Sequence, residues 1–404
     1  MHSWLRDRIA GHARATPLIA ALAAVLLVVA PALAVGRAGG GTAEPCDIYA
    51  KAGTPCVAAY SSTRALFGAY DGPLYEVRRS SDGATLNIGL LARGGYASIR
   101  PQKAFCAGTH CVVAKIYDQS ADRNDLVPQG PTSAPYSNRT WSHLPVVANA
   151  LPITAGGHPV YGLKFVNHSP TGAPCFTAAT CTGNPGHAYN NGHRRARGVA
   201  VSGQAESVYG VFGGNFAGNQ CCFDFGNSEI KGTDDGNGKM DALNFSRDCW
   251  DGCGAGDGPW VQADLENGMF MTGRTTATPE YPSAFLGGSF KSGDGFCCAG
   301  TAKNLAMPYP FVTGVLNDPG SRTFTIKGGK ATSGRLTTYY SGPTPPGNGY
   351  SPLRQEGAII LGSGGDQGTT DGEFFEGVMT IGVPSDAAEN AVQTNIVNVG
   401  YRMR

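Results

Sequence analysis

Short segments rich in β-branched and aromatic residues, separated by stretches of glycine, proline and asparagine, constrain the fold of this chain most. They occur at residues 112–117, 207–212, 260–265, 323–327, 336–340 and 358–361. The chain contains 59 glycines, and charged residues make up 15% of it against a usual share of about 25%. Many turns and few exposed helices follow from this composition. The pattern predicts an all-β fold built as an antiparallel β-sandwich.

The domain organisation predicted from the sequence is a single sandwich. No Ser/Pro-rich linker or internal repeat divides the chain, and β-sandwiches commonly use more than about 200 residues as one domain. We therefore expect a β-sandwich domain over residues 45–404, preceded by a flexible segment at 35–44. One helix is predicted near residues 63–69 and a second, C-terminal one after Pro384, where Ser385 or Asp386 can cap it. The apolar face of that second helix comprises Ala388, Val392, Ile396 and Val399.

The amino terminus has the three parts of a secretory signal. Basic residues Arg6, Arg8 and Arg14 precede an apolar segment at 17–34 that ends in the sequence ALA. A charged region, an apolar region and an A-x-A site define a signal peptide, and the apolar run is short for a membrane span. We expect residues 1–34 to be removed and the protein to be secreted and extracellular. An uncleaved membrane anchor is the alternative.

The charge of the chain excludes some classes of partner. Without residues 1–34 the 31 basic and 30 acidic residues become 28 and 29, a net charge near −1. A neutral chain with no run of Lys or Arg lacks the electrostatic footprint for nucleic acid or an anionic membrane. The expected partner is an uncharged ligand or polymer.

Twelve cysteines in an exported chain predict disulfides. They form six sequence-local couples: Cys46 with Cys56, Cys106 with Cys111, Cys175 with Cys181, Cys221 with Cys222, Cys249 with Cys253, and Cys297 with Cys298. Only the couple of Cys249 and Cys253 has the internal spacing of a zinc knuckle, so local disulfides are favoured over metal. The spacing does not establish the connectivity.

The adjacent pair Cys221-Cys222 leaves two interpretations open. Neighbouring Cα atoms lie about 3.8 Å apart, below the usual disulfide range of about 4.4–6.8 Å. A bond between them would be strained, and its flat sulfur surface could pack against a sugar ring. Alternatively each pairs elsewhere, for instance with Cys297 or Cys298. The residues alone favour this second interpretation.

Two segments offer carboxylates for chemistry. Alternation over 260–267 places Gln262, Asp264 and Glu266 on one face, where repulsion between the two acids raises a pKa. Asp366 follows the apolar run 358–361 and three glycines, which allow the backbone to approach a ligand closely. Glu373 and Glu376 are rival acids. The alternatives are a solvated strand face for the first segment and a simple turn for the second.

Segments along nearly the whole mature chain resemble the fungal-type α-L-arabinofuranosidase B family, glycoside hydrolase family fifty-four. They are 45–49 (PCDIY), 54–58 (TPCVA), 116–120 (IYDQS), 221–227 (CCFDFGN), 254–260 (GAGDGPW), 264–267 (DLEN), 356–362 (EGAIILG), 364–366 (GGD) and 376–380 (EGVMT). The resemblance implies a concanavalin-like jelly roll and a retaining mechanism with two carboxylates. Glu266 would be the nucleophile and Asp366 the acid/base.

The resemblance also implies roles for residues around the sugar, and the chain departs from the family pattern in places. Its remaining site residues are the vicinal disulfide Cys221–Cys222 under the sugar, Asp264 and Asn267 as hydroxyl ligands, the Gly365 backbone, and the structural bridges Cys46–Cys56 and Cys106–Cys111. Trp250 matches a subsite aromatic only approximately. The couples at 175/181, 249/253 and 297/298 look like additions. The family usually carries a carboxy-terminal arabinose-binding β-trefoil, whereas this chain stops just after its terminal helix.

The function predicted from these residues is an exo-acting α-L-arabinofuranosidase that acts as a monomer on arabinose-containing plant cell-wall polysaccharides or oligosaccharides. Such hydrolysis requires no cofactor and no metal. Two alternatives stay open: a lectin-like module that binds carbohydrate without catalysis, and a hydrolase for another furanoside or for a β-xyloside.

Overall fold

A computed structural model describes residues 43–130, 132–133, 140–141, 143–167, 186–219, 222–231, 238–247, 254–266, 269–270, 304–344, 350, 352–364 and 369–404. Residues Gly41–Arg404 form one compact unit. The predicted signal peptide and most of the segment at 35–44 lie outside the described residues. In the described part of the chain, every helix is too short or too polar to cross a bilayer.

The described residues form three α-helices and one 3-10 turn. The helices are α1 (Pro45–Lys51), α2 (Ile99–Phe105) and α3 (Asp386–Val399), and the turn is Gly214–Phe216. The strands are β1 (Cys56–Ser61), β2 (Tyr75–Arg79), β3 (Thr85–Ile88), β4 (Cys111–Ile116), β5 (Val127–Pro128), β6 (Thr132–Ser133), β7 (Thr140–Trp141), β8 (Leu151–Ala155), β9 (His158–Phe165), β10 (Tyr189–Asn190), β11 (Glu206–Phe212), β12 (Asp224–Ser228), β13 (Asp241–Ser246), β14 (Trp260–Asp264), β15 (Met269–Phe270), β16 (Val312–Asp318), β17 (Thr323–Lys330), β18 (Thr337–Pro343), β19 (Ala358–Leu361), β20 (Gly372–Ile381) and β21 (Arg402–Met403).

Two large sheets dominate the described strands. The larger has nine strands in the order β18-β17-β16-β11-β20-β9-β8-β21, with β1 also paired to β20. The smaller has seven in the order β15-β14-β13-β12-β19-β10-β5. All pairs within both sheets are antiparallel. The predicted all-β antiparallel sandwich is confirmed.

An aromatic core joins the two sheets. Phe374 of β20 contacts Phe225 of β12 with ring centroids 5.2 Å apart, and Phe212 of β11 stacks on Phe245 of β13 at 5.3 Å. Each such pair contributes about 0.5–1.5 kcal/mol beyond the burial of its area. Because side chains alternate along a strand, the neighbours of these rings on β12 and β13 point to the opposite face of the smaller sheet.

The C-terminal helix follows the sequence prediction closely. The Ser385 side chain accepts the N–H of Ala388, and Gly400 ends the helix in the left-handed conformation with φ 63°. The predicted apolar residues of the helix are buried. On the outer face of the larger sheet, Glu389 accepts a hydrogen bond from Asn317 and pairs with Lys327.

The helix predicted near residues 63–69 is wrong. The N–H groups of Thr63 and Arg64 both donate to the Ser61 hydroxyl, at 3.0 and 3.1 Å. The next two N–H groups donate to the distant residues Gly95 and Gln119. These side-chain and long-range acceptors replace the i−4 carbonyls that a helix requires.

Candidate active site

The candidate site lies on the face of the smaller sheet that points away from the aromatic core. Phe223 and Phe225 are buried in that core, so Asp224 between them points to the other face, together with Cys222. The same alternation on β14 directs Val261 and Ala263 inward and the polar side chains Gln262 and Asp264 outward.

An amide network fixes Asp224. The side-chain amide of Asn244 donates to Asp224 Oδ1 at 2.5 Å. The Asn244 carbonyl oxygen accepts the Ser246 hydroxyl at 2.8 Å and the Gln262 amide at 3.3 Å. Because two donors hold this oxygen, the amide nitrogen of Asn244 must face Asp224. The Asp224 carboxyl is therefore fully buried and rigidly oriented.

Asp264 is the residue in this cluster whose pKa is most clearly perturbed. Burial raises the pKa of its carboxyl well above the ordinary value, and the charge and hydrogen bond of Asp224 raise it further. The charge of Glu266 adds a smaller rise, while the Glu266 N–H, 2.8 Å from Oδ1, opposes it. The direction was predicted from the sequence, but repulsion by Glu266 is a minor cause, and burial and the neighbouring Asp224 dominate. The shift favours the protonated form of Asp264.

The three groups Cys222, Asp224 and Asp264 each bring one atom within 4.8 Å of the others, a spacing that could hold a cation. However, Cys222 is disulfide-bonded, so its sulfur is not a thiolate. The raised pKa of Asp264 disfavours a second negative charge beside Asp224. With one of the three sulfur and oxygen donors bound in a disulfide, the cluster fits a close carboxyl pair beside a disulfide better than a metal centre.

Glu266 occupies a turn rather than the strand predicted for residues 260–267. Strand β14 ends at Asp264, and Glu266 adopts the left-handed conformation with φ 60°. That conformation is uncommon for a residue with a side chain and costs on the order of 1–3 kcal/mol. Its N–H donates to Asp264 Oδ1, and its carbonyl accepts the Tyr350 hydroxyl. Strain held by the surroundings in this way clusters at functional sites.

The side-chain carboxylate of Glu266 is held by a hydrogen bond, as its backbone is. Its Oε2 accepts the backbone N–H of Lys239 at 2.7 Å, and the residue is 1% exposed. Sequence reasoning missed Lys239 and Tyr350, since neither has a local signal. Asp224 was also not predicted as a site residue. Its position two residues after Cys222 would have indicated that both side chains lie on the same face of a strand.

Several predicted site residues lie outside the described part of the chain, so the structure does not test their roles or their pairing. Those assigned to the catalytic pocket are Cys221, Trp250, Asn267, Gly365 and Asp366. Those predicted to form additional disulfides are Cys175, Cys181, Cys249, Cys253, Cys297 and Cys298.

Two of the predicted disulfides lie within the described residues. The bonds Cys46–Cys56 and Cys106–Cys111 are present as predicted, with Cα atoms 5.5 and 5.8 Å apart. Cys222 is also disulfide-bonded, and its partner is not one of these four cysteines.

The rival acids belong to the larger sheet. Glu376 accepts two hydrogen bonds from the buried Arg64 guanidinium, at 2.5 and 2.6 Å, and a third from Tyr401. Glu373 lies 3.8 Å from Lys164. Both acids are thus engaged by basic side chains, and the pair of Glu376 with Arg64 is buried.

The β-sandwich thus presents buried carboxyl groups and a disulfide-bonded sulfur on one face of its smaller sheet. The chain belongs to the family described as "Alpha-L-arabinofuranosidase B, catalytic", whose model matches residues 45–297 and 288–402. It is 42% identical over 374 residues to a probable alpha-L-arabinofuranosidase B of Aspergillus terreus, covering 91% of this chain and 65% of that protein. It is 43% identical over 362 residues to an "Arabinofuranosidase/B-xylosidase" of Trichoderma koningii, covering 89% and 63%.

A solved structure agrees with these relatives. The crystal structure of an arabinofuranosidase complexed with arabinofuranosyl-alpha-1,2-xylobiose superimposes with a TM-score of 0.74 at 37% identity, covering 89% of this chain and 66% of that one. The chain therefore spans slightly less than two thirds of the length of the proteins that it matches.

Proposed function

We propose that this protein is a secreted, exo-acting α-L-arabinofuranosidase that releases arabinofuranose from arabinan and arabinoxylan side chains with retention of configuration. The observation that carries the proposal is the Glu266 carboxylate, which is held in a strained turn beside Asp264 and Cys222 in a chain of this family. The substrate and the secreted state follow from the resemblance and the signal-like amino terminus.

In the proposed mechanism, Asp366 protonates the glycosidic oxygen while a Glu266 carboxylate oxygen bonds to the anomeric carbon. The bond to the leaving group breaks, and its electron pair stays on the leaving oxygen. In the second step Asp366 takes a proton from water, whose oxygen bonds to the same carbon. The ester bond then breaks and returns its electrons to Glu266.

The path of β19 supports the role of Asp366. This strand pairs with β12, and the N–H of Gly362 donates to the Asp224 carbonyl at 2.8 Å. Asp366 follows Gly362 by four residues, a chain length of at most about 14 Å. A retaining pair requires carboxyl groups about 5–5.5 Å apart, which this length permits.

The proposed sugar pocket uses the groups beside Glu266. The raised pKa of Asp264 favours its protonated form, which could donate to a sugar hydroxyl as a carboxylate cannot. Asn267, the Gly365 backbone, Trp250 and the Cys221–Cys222 sulfurs complete the pocket in this proposal.

The test is hydrolysis of an aryl α-L-arabinofuranoside by Glu266→Gln. We expect loss of turnover with the fold retained, and a rate near that of the wild type would reject the nucleophile. Asp366→Asn should lose more activity on a poor leaving group than on an activated aryl one. Equal losses on both would reject the acid.

Hydrolysis of β-xylosides is a second candidate, favoured by the name of the Trichoderma koningii relative. Wild-type rates on aryl α-L-arabinofuranoside, β-D-xyloside and β-D-galactofuranoside distinguish the two activities.

A further inference from the structure

The nucleophile proposed above depends on a donor from another part of the chain. Glu266 lies after β14, whereas the N–H that binds its Oε2 at 2.7 Å belongs to Lys239, just before β13. A backbone N–H is a rigid donor, and a hydrogen bond to a carboxylate is about twice as strong as one between neutral groups. The Lys239 N–H therefore favours one orientation of the Glu266 carboxylate.

Glu356 holds the segment that supplies this donor. Its Oε1 lies 3.3 Å from Lys239 Nζ, and its own N–H donates to the Lys239 carbonyl at 3.2 Å. Its Oε2 accepts the N–H of Ile230 at 2.9 Å. The carbonyl of Gly238, one residue before Lys239, accepts the N–H of Arg354 at 2.7 Å. Glu356 therefore connects the segments on both sides of residues 232–237.

The same stretch of chain continues toward the other proposed carboxylate. Glu356 lies two residues before β19, and that strand leads through Gly362 toward Asp366. The chain segment that contains β19 therefore holds the Lys239 donor through Glu356, just before the strand. Beyond the strand, the same segment leads to the proposed acid Asp366.

We propose that the backbone N–H of Lys239 positions the Glu266 carboxylate for attack, and that Glu356 is the positioning residue that holds this donor in place. The inference rests on the proposed function of Glu266. The Lys239 N–H binds the Oε2 oxygen of Glu266 and does not contact the sugar. It therefore orients the carboxylate throughout the reaction.

Proline at position 239 tests the donor directly, since Lys239→Pro removes the N–H. Lys239→Ala keeps the N–H and loses only the ion pair. We expect kcat of Lys239→Pro on an aryl α-L-arabinofuranoside to fall about 10- to 100-fold, which is the effect of losing a hydrogen bond to a charged group. KM should change less than threefold, because ground-state binding of the sugar does not involve this donor. Lys239→Ala should lose less than fivefold in kcat.

Glu356→Gln tests the anchor in a variant that keeps an acceptor for Ile230 and loses the charge facing Lys239. It should resemble Lys239→Ala, and the double variant should be no worse than either single one, because both remove the same ion pair. Asp82→Asn is the matched control, since it breaks the exposed ion pair with Arg79 at 2.7 Å. It should leave kcat and KM unchanged.

The results separate this inference from the function on which it rests. If Glu266→Gln is inactive while folded Lys239→Pro keeps the kcat of Lys239→Ala, the positioning role is rejected and the nucleophile stands. If Glu266→Gln is active, the nucleophile itself is rejected. If Lys239→Pro does not fold, additive losses from Lys239→Ala and Glu356→Gln overturn the anchor, and equal, non-additive losses in kcat support it.

Discussion

Three buried acids between the sheets should contribute stability in acid that is lost as the pH rises toward neutral. Glu206 of β11 and Asp318 of β16 are register partners on the larger sheet. Asp241 of β13 pairs with Asn227 of β12 on the smaller one. The Asn227 amide donates across the sandwich to both Glu206 oxygens, at 2.9 and 3.2 Å. The three carboxyl groups thus gather at one end of the core, each about 1% exposed.

The pKa values of all three acids are raised. Burial is the first cause for each, and the Asp241 and Asp318 charges raise the pKa of Glu206 further. The pKa of Asp318 rises from 3.8 to about 6 even though the N–H groups of Gly320 and Ser321 oppose the rise. Gln355 also donates to its Oδ2 at 3.2 Å.

The sign of the effect follows from proton binding. Between pH 4 and 6 the unfolded chain loses the Asp318 proton while the folded protein keeps it, so stability falls as pH rises. The rise in the pKa of Asp318 corresponds to a loss of about 3 kcal/mol over the whole titration, of which about 2 kcal/mol falls between pH 4 and 6. Glu206 and Asp241 change stability in the same direction and extend the decline to higher pH.

Urea unfolding at pH values from 4 to 8 measures this dependence. Asp318→Asn is neutral at every pH, so its free energy of unfolding should fall by about 2 kcal/mol less than that of the wild type between pH 4 and 6. The comparison cancels the contributions of groups that do not interact with Asp318, including the buried His143, whose lowered pKa acts in the opposite direction. Parallel curves for the wild type and Asp318→Asn would refute the reasoning.

Two other substitutions test the site and the scaffold. Asp224→Asn removes the charge of Asp224 that raises the pKa of Asp264, so the pKa of Asp264 should fall and its protonated form should be less favoured; we expect KM for the aryl arabinofuranoside to rise about tenfold, the loss of one hydrogen bond to substrate, and an unchanged KM would contradict the donor role. Glu376→Gln removes one of the two anionic partners of the buried Arg64, which keeps Glu44 at 2.6 Å, and should lower the free energy of unfolding by about 3 kcal/mol; a loss below about 1 kcal/mol in urea unfolding would show that the pair with Glu376 is not required.

The sequence predicted best what depends on neighbouring residues. Alternation in β14 and the cap at Ser385 are local patterns, and they predicted that strand, the C-terminal helix and the outward Asp264 correctly. The helix expected at 63–69 failed because Ser61, Gly95 and Gln119 offer its N–H groups better acceptors. Long-range contacts explain the other misses. The left-handed turn at Glu266 depends on Tyr350, and its carboxylate depends on Lys239, and neither partner is marked by any pattern in the sequence.

The helices α1 and α3 have a practical consequence. Asn395 of α3 donates to the Ala43 carbonyl at 2.9 Å just before α1, and α3 packs against the outer face of the larger sheet through Glu389. The candidate site occupies the outer face of the other sheet. A support or fluorophore attached near either of these helices would therefore hold the domain with its pocket turned toward solution, open to a polymer too large to diffuse around an obstruction.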